Sequence, residues 1–288
     1  MFKGVYTALV TPFNNDGTID FGKVSELVER QINEGIDGLV PVGTTGESPV
    51  LDQIEHMKVI EVVVETCSGR VPVIAGAGAN STREAVELTT SAKSLGADAT
   101  LQVTPYYNKP NQEGLIRHFS AIADLGLPVV LYNVPPRTVR EIEIDTVVKL
   151  SSHPNIVAIK EAAGSVERVT DIQNKCDLTV LSGDDNLTLP MIEEGASGII
   201  SVAANVIPKT MVKMVHLALE GNMKEAYAIN ESLLSVFSDL FIDTNPIPVK
   251  AAMSMMGLIE EAYRLPLCST TDENKNQLQT TLKNAGIL

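Results

Sequence analysis

The chain has 288 residues, 44% of them hydrophobic and 20% charged, with a formal net charge of −14. That is the composition of an ordinary globular protein, long enough for one large α/β barrel or two small domains. So negative a chain offers no electrostatic footprint for nucleic acid or an anionic membrane, and an anionic substrate would have to be caught by local donors.

In chain order, short apolar runs alternate with amphipathic stretches. The start, Met1-Phe2-Lys3-Gly4-Val5-Tyr6, leads into a strand over 5–10 and lacks the pattern of a signal peptide. Residues 22–34 carry Val24, Leu27, Val28 and Ile32 at helical spacing. A strand over 38–42 follows, then a helix over 54–67 and a strand over 71–75. A helix over 81–94, a strand over 99–103, a helix over 111–123 and a strand over 128–132 come next. The second half repeats the theme, with a helix over 144–150 and a strand over 156–159. A helix over 166–174, a strand over 179–181, a helix over 187–194 and an eighth strand over 198–202 complete it.

Eight β units starting roughly 20–34 residues apart, separated by helices, predict a TIM (β/α)₈ barrel. The near-continuous apolar character of the strands fits burial on both faces. An open doubly wound sheet is less favoured, because no Gly-x-Gly-x-x-Gly follows the first strand. From Pro208 onward the pattern is helical only, which gives a barrel over 1–224 and a C-terminal helical extension over 225–288 packed on it. Asp52-Gln53-Ile54-Glu55 and Ser81-Thr82-Arg83-Glu84 both read as capping boxes.

No apolar run approaches the roughly 18–20 residues that span a bilayer. Cys67, Cys176 and Cys268 are odd in number and far apart, so neither a disulfide framework nor a metal knuckle is expected. A reduced, cytoplasmic protein is the expectation. His56, His118, His153 and His216 do not cluster, and no metal site is expected.

Active sites of TIM barrels sit at the C-terminal ends of the strands. Lys160 ends the apolar run Ile156-Val157-Ala158-Ile159. Desolvation there would lower its pKa, and a neutral amine attacks a ketone to form an imine. The plainer reading is a structural lysine paired with Glu161 or Glu143. Tyr132 ends the fifth strand, either as a proton carrier for a bound intermediate or as a rim tyrosine filling space. Gly43-Thr44-Thr45-Gly46-Glu47 follows the second strand. Its hydroxyls and N–H groups suit a small anion such as a carboxylate, or it is a simple turn; it lacks the ending of a phosphate loop. Arg137, after Pro135-Pro136, suits bidentate carboxylate binding or is a solvated loop arginine. Tyr106 and Tyr107 are adjacent and cannot share one face of an extended segment, so either one faces the site and the other an interface, or both form a subunit contact.

Taken together these residues resemble the dihydrodipicolinate synthase family of pyruvate-dependent class I aldolases, over the whole chain. The resemblance rests on Gly43-Thr44-Thr45-Gly46-Glu47-Ser48, Ile74-Ala75-Gly76-Ala77-Gly78-Ala79-Asn80 and Pro105-Tyr106-Tyr107-Asn108-Lys109-Pro110. It rests also on Tyr132-Asn133-Val134-Pro135-x-Arg137-Thr138, Ile159-Lys160-Glu161-Ala162 and Ser182-Gly183-Asp184-Asp185. It implies condensation of pyruvate with L-aspartate 4-semialdehyde to 4-hydroxy-tetrahydrodipicolinate, in lysine and diaminopimelate biosynthesis, without metal or organic cofactor. Lys160 would form the Schiff base. Tyr132 would be the general acid/base, in a relay with Thr44 and with Tyr107 from a neighbouring subunit. Thr45 would hold the pyruvate carboxylate, Arg137 that of the semialdehyde, and Gly183 and Ile200 would line the site through backbone groups. The resemblance further implies a homotetramer, a dimer of dimers, and a possible lysine-effector pocket around His56, Asn80, Glu84 and Tyr106, although Pro49 and Gln53 depart from the familiar inhibited pattern. The alternatives are another pyruvate-dependent aldolase (N-acetylneuraminate lyase or a 2-keto-3-deoxy sugar acid aldolase), a catalytically idle keto-acid-binding barrel, or a metal- or phosphate-dependent barrel enzyme.

Overall fold

The computed structural model describes residues 2–288. Eight parallel strands alternate with helices: β1 (Gly4–Ala8), α1 (Phe21–Asn33), β2 (Gly38–Val40), α2 (Gln53–Cys67), β3 (Ile74–Gly76), α3 (Thr82–Ser94), β4 (Ala99–Val103), α4 (Gln112–Ala123) and β5 (Val129–Asn133). There follow α5 (Pro135–Thr138), α6 (Ile144–Ser151), β6 (Ile156–Glu161), α7 (Glu167–Gln173), β7 (Thr179–Ser182), α8 (Thr188–Glu193) and β8 (Gly198–Ser201). Then come α9 (Pro208–Leu219), α10 (Met223–Asp239), α11 (Ile247–Met255) and α12 (Asp272–Asn284).

The strands run in the order β2-β1-β8-β7-β6-β5-β4-β3. The seam between β2 and β3 is closed by the parallel bridge Leu39–Val73, with Leu39 N–H donating to Pro72 O at 3.0 Å and Gly76 N–H to Pro41 O at 2.9 Å. The ring is therefore a TIM barrel, as the alternation predicts.

Alternation along each strand decides what enters the barrel. Tyr6, Ala8, Val40, Ile74, Leu101, Val130, Tyr132, Ala158, Leu181 and Ile200 form the inner cluster. Their outward neighbours Leu131, Ile159 and Val180 pack with α3, α4, α6 and α7 in a second cluster. A third, larger cluster joins β1, α1, α2 and α9 to α10, α11 and α12, so the C-terminal helices share the barrel's apolar shell.

Asp52 caps α2 in a complete capping box with Glu55, as its spacing predicts. Ser81 does not: it makes no side-chain bond to the start of α3, and Glu84 turns instead to a cavity shared with His56 and Tyr106. The stretch beyond Pro208 is also less uniformly helical than expected. Residues 257–271 between α11 and α12 form no helix, and Arg264 anchors them through both oxygens of Glu55 at 2.6 Å and the carbonyls of Gly17 and Val50 at 2.9 Å. The expected helix over 187–194 begins as a 3₁₀ turn over Asp185–Leu187 before α8. No helix among the described residues is long and apolar enough to cross a membrane.

Candidate active site

A cavity of about 180 Å³ opens at the C-terminal mouth of the barrel. Its floor comes from the inward faces of the strands (Ala8, Val40, Leu101, Ile200) and its polar groups from Thr44, Thr45, Tyr132, Arg137, Lys160 and Asp184.

Lys160 follows Ala158 on the inward face of β6 and is 6% exposed. Strand register sets it beside Tyr132 of β5 and Leu181 of β7. Its Nζ lies 4.4 Å from the centroid of the Tyr132 ring. It has no hydrogen-bond or ion-pair partner among the described residues. The pairing with Glu161 fails for a simple reason, since consecutive strand residues point to opposite faces. Glu161 points outward, where it accepts from Asn133 Nδ2 at 2.9 Å and Arg168 Nε at 3.0 Å. Burial raises the Glu161 carboxyl above the usual range, with Arg168 and Asn133 opposing that rise. Glu143 is exposed at the start of α6.

Space for the Lys160 stem depends on Gly183. A Cβ there would stand 2.6 Å from the Ala162 Cβ and 2.9 Å from the Lys160 Cε. Asp184 follows and lines the cavity; burial raises its carboxyl, and the Lys160 charge pulls it back. Tyr132 is 6% exposed, and its carbonyl accepts from both the N–H and the Oγ1 of Thr104, at 3.0 and 2.9 Å, which fixes the end of β5.

The turn after β2 closes on itself through Gly46 N–H and Glu47 N–H, which donate to the carbonyls of Gly43 and Thr44 at 3.1 Å. Gly46 is required there, because a Cβ would meet Val42 N at 2.9 Å. Thr45 is 3% exposed and accepts from Asn245 Nδ2 at 3.1 Å, while the Asn245 carbonyl accepts from Arg137 at 3.1 Å. Asn245, just before α11, thus joins the two groups expected to hold carboxylates. Sequence reasoning missed it, since it lies far from any strand end. Thr44 and Tyr132 face the same cavity without a hydrogen bond between their hydroxyls.

Of the expected residues, Lys160, Tyr132, Thr44, Thr45, Arg137, Gly183 and Ile200 are brought together. Tyr107 is not: it stands 92% exposed on the loop after β4, with a φ of +74°. His56, Glu84 and Tyr106 line a separate cavity of about 190 Å³, beside which Asn80 Nδ2 donates to Tyr106 O at 3.3 Å. His56 Nε2 lies 2.7 Å from Gly76 O, and burial lowers its pKa. Cys67 is buried, Cys176 half-buried and Cys268 exposed, all three as free thiols. Among the described residues no group of three or more His, Cys, Asp or Glu is placed to hold a metal ion.

Comparison with known proteins agrees with the fold. The model of the dihydrodipicolinate synthetase family matches residues 1–285. The 4-hydroxy-tetrahydrodipicolinate synthase of Pelobacter propionicus is 50% identical over 291 residues, covering 100% of both chains. The crystal structure of the chloride-inhibited dihydrodipicolinate synthase from Acinetobacter baumannii, complexed with pyruvate, superposes with a TM-score of 0.97 at 45% identity, over 100% of each chain. That of the enzyme from Cyanidioschyzon merolae, with lysine bound, gives 0.97 at 42% identity, over 100% of this chain and 99% of that one. The chain belongs to the dihydrodipicolinate synthetase family.

Proposed function

We infer that the chain is a lyase that condenses pyruvate with L-aspartate 4-semialdehyde to give 4-hydroxy-tetrahydrodipicolinate. The observation that carries this reading is Lys160: an unpaired amine inside the barrel mouth, against the Tyr132 ring. The neutral amine adds to C2 of pyruvate and water leaves, forming an iminium. Loss of a C3 proton gives an enamine, whose carbon attacks the aldehyde carbon of the second substrate. The alkoxide takes a proton. The substrate's own amine then adds at C2 and expels Lys160, closing the ring. Two substrates thus yield one product and one water.

Tyr132 moves these protons in this reading, with Thr44 and with Tyr107 of a neighbouring subunit completing the relay. Thr45 takes the pyruvate carboxylate and Arg137 that of the semialdehyde. Gly183 and Ile200 contribute backbone at the walls. Apart from Asp184 and Asn245 the rest of the lining is made of apolar residues and glycine (Ala8, Val40, Leu101, Val134 among them), which leaves a polyhydroxylated sugar acid few partners. The assembly proposed is a homotetramer acting in the cytoplasm, and the cavity of His56, Glu84 and Tyr106 is proposed to take lysine.

The test is a coupled assay with pyruvate, L-aspartate 4-semialdehyde and a reductase that consumes the product. Turnover of order 1–10³ s⁻¹ is expected; none, with the substrates intact, contradicts the reading. In the same assay millimolar lysine should slow the rate, and an unchanged rate removes the effector proposal.

A further inference from the structure

Glu47 and Lys250 form an ion pair with both side chains at zero exposure, Nζ to Oε1 at 2.5 Å. It lies outside the cavity lining, and the reaction scheme above does not use it. Glu47 closes the Thr44-Thr45 turn and is itself held at a φ of +55°, a conformation unfavourable to a residue with a Cβ. Lys250 lies on α11, 203 residues away along the chain. Its ammonium also donates to the Thr11 carbonyl at 3.0 Å and sits 4.3 Å from the Phe13 ring centroid. Thr11 Oγ1 in turn donates to Gly46 O at 2.7 Å. Loop, α11 and the segment after β1 are therefore tied at one buried point, two residues from Thr45. The same C-terminal segment delivers Asn245 to the Thr45 hydroxyl.

A buried pair is weak evidence of stabilisation, because desolvating two charges offsets their attraction. This one is not even fully satisfied: Glu47 Oε2 is buried without a partner among the described residues. Burial pulls the Lys250 ammonium towards neutrality and Glu47 opposes this. What the pair does supply is register, one defined distance between the turn after β2 and α11.

We propose that Glu47 and Lys250 are positioning residues that hold the Thr44-Thr45 turn against α11 and so set the subsite for the carboxylate of the keto-acid substrate. The inference rests on the assignment of Thr45 to the pyruvate carboxylate. Its effect is on binding of the first substrate, since the turn carries Thr45, the group assigned to that substrate's carboxylate, and reaches Arg137 only through Asn245.

The experiment measures both KM values and kcat for Glu47→Gln, Lys250→Met and the double variant, beside Thr45→Val. Either single change strands a buried charge and lowers Tm. The double variant removes both charges and should regain much of that Tm. Its KM for pyruvate should nonetheless rise about 10- to 100-fold, the scale of a displaced binding group, with KM for the semialdehyde within about threefold. A folded double variant with the parent's KM for pyruvate overturns the proposal, as does an equal rise in both KM values. Thr45→Val separates the two layers. If it raises KM for pyruvate and the double variant does not, the positioning role alone fails. If it leaves that KM unchanged, the assignment of Thr45 fails and the proposal with it. Should the neutral pair not fold, Glu47→Asp with Lys250→Arg keeps both charges, alters the span and is read in the same way.

Discussion

Lys160 and Glu161 are consecutive residues with opposite surroundings. One points into the barrel without a partner among the described residues; the other points out into a network with Asn133 and Arg168. The difference comes from strand pleat alone. Gly183 is the complementary case, a residue whose contribution is the atom it lacks. Gly183→Ala should cost about 1–3 kcal/mol through overpacking against Ala162 and should lower kcat by pushing Lys160 off its position; unchanged kcat and Tm would remove that role. Lys160, Tyr132 and Thr45 were legible in the sequence because strand ends and their loops are where a TIM barrel places chemistry. Asn245 was not, because it reaches the mouth from a segment 200 residues distant from Thr45. Asp184 stood in a recognised motif, but its place on the cavity wall depends on a fold the local sequence does not display.

Among elements, α2 and α3 show how far a local pattern carries. Both begin with a cap residue followed by an acid three places on. Only Asp52 and Glu55 exchange their bonds, at 2.8 and 3.3 Å. At α3, Glu84 faces the cavity of His56 and Tyr106 instead. Asp52→Ala should therefore cost about 1 kcal/mol in urea unfolding, while Ser81→Ala should change stability by less than about 0.5 kcal/mol. Equal losses would contradict the assignment of the caps. The strand and helix order was readable from apolar periodicity, since each strand is buried on two faces and each helix on one. The 3₁₀ turn before α8 was not, because burial of the Asp185 carboxylate shapes it: Asp185 accepts from Ser201 Oγ at 2.5 Å and from Val202 and Ala203 N–H.

For the whole molecule, acid should be destabilising. His118 is buried on α4 beside Thr82, its Nε2 without a partner among the described residues, and burial pushes its pKa down to about 4 from 6.5. The unfolded chain binds this proton first. The contribution is complete above pH 6.5 and is lost as pH falls towards about 4, worth up to ~3 kcal/mol. Replacing His118 by Gln should flatten the fall in stability between pH 7 and 4.5, and an unchanged slope would exclude it as a source. Assembly is testable at the same scale. If Tyr107 serves a neighbour's site, co-expressed Lys160→Ala and Tyr107→Phe chains form mixed dimers with one complete site, and activity should recover to about a quarter of the parent's. No gain over the separate variants would place Tyr107 in its own chain's chemistry or in none. We propose to regard 225–288 as an extension of the barrel over 1–224, since α10, α11 and α12 share one apolar cluster with β1 and α9.

The imine at Lys160 is the centre of the account, and trapping it is the direct measurement. The protein is incubated with pyruvate alone, reduced with borohydride and mapped by mass spectrometry, beside Lys160→Ala. A single reduced adduct on Lys160, absent from the variant along with coupled turnover, is the predicted result. No adduct on Lys160 in the parent, or undiminished turnover in the variant, would contradict the Schiff-base mechanism.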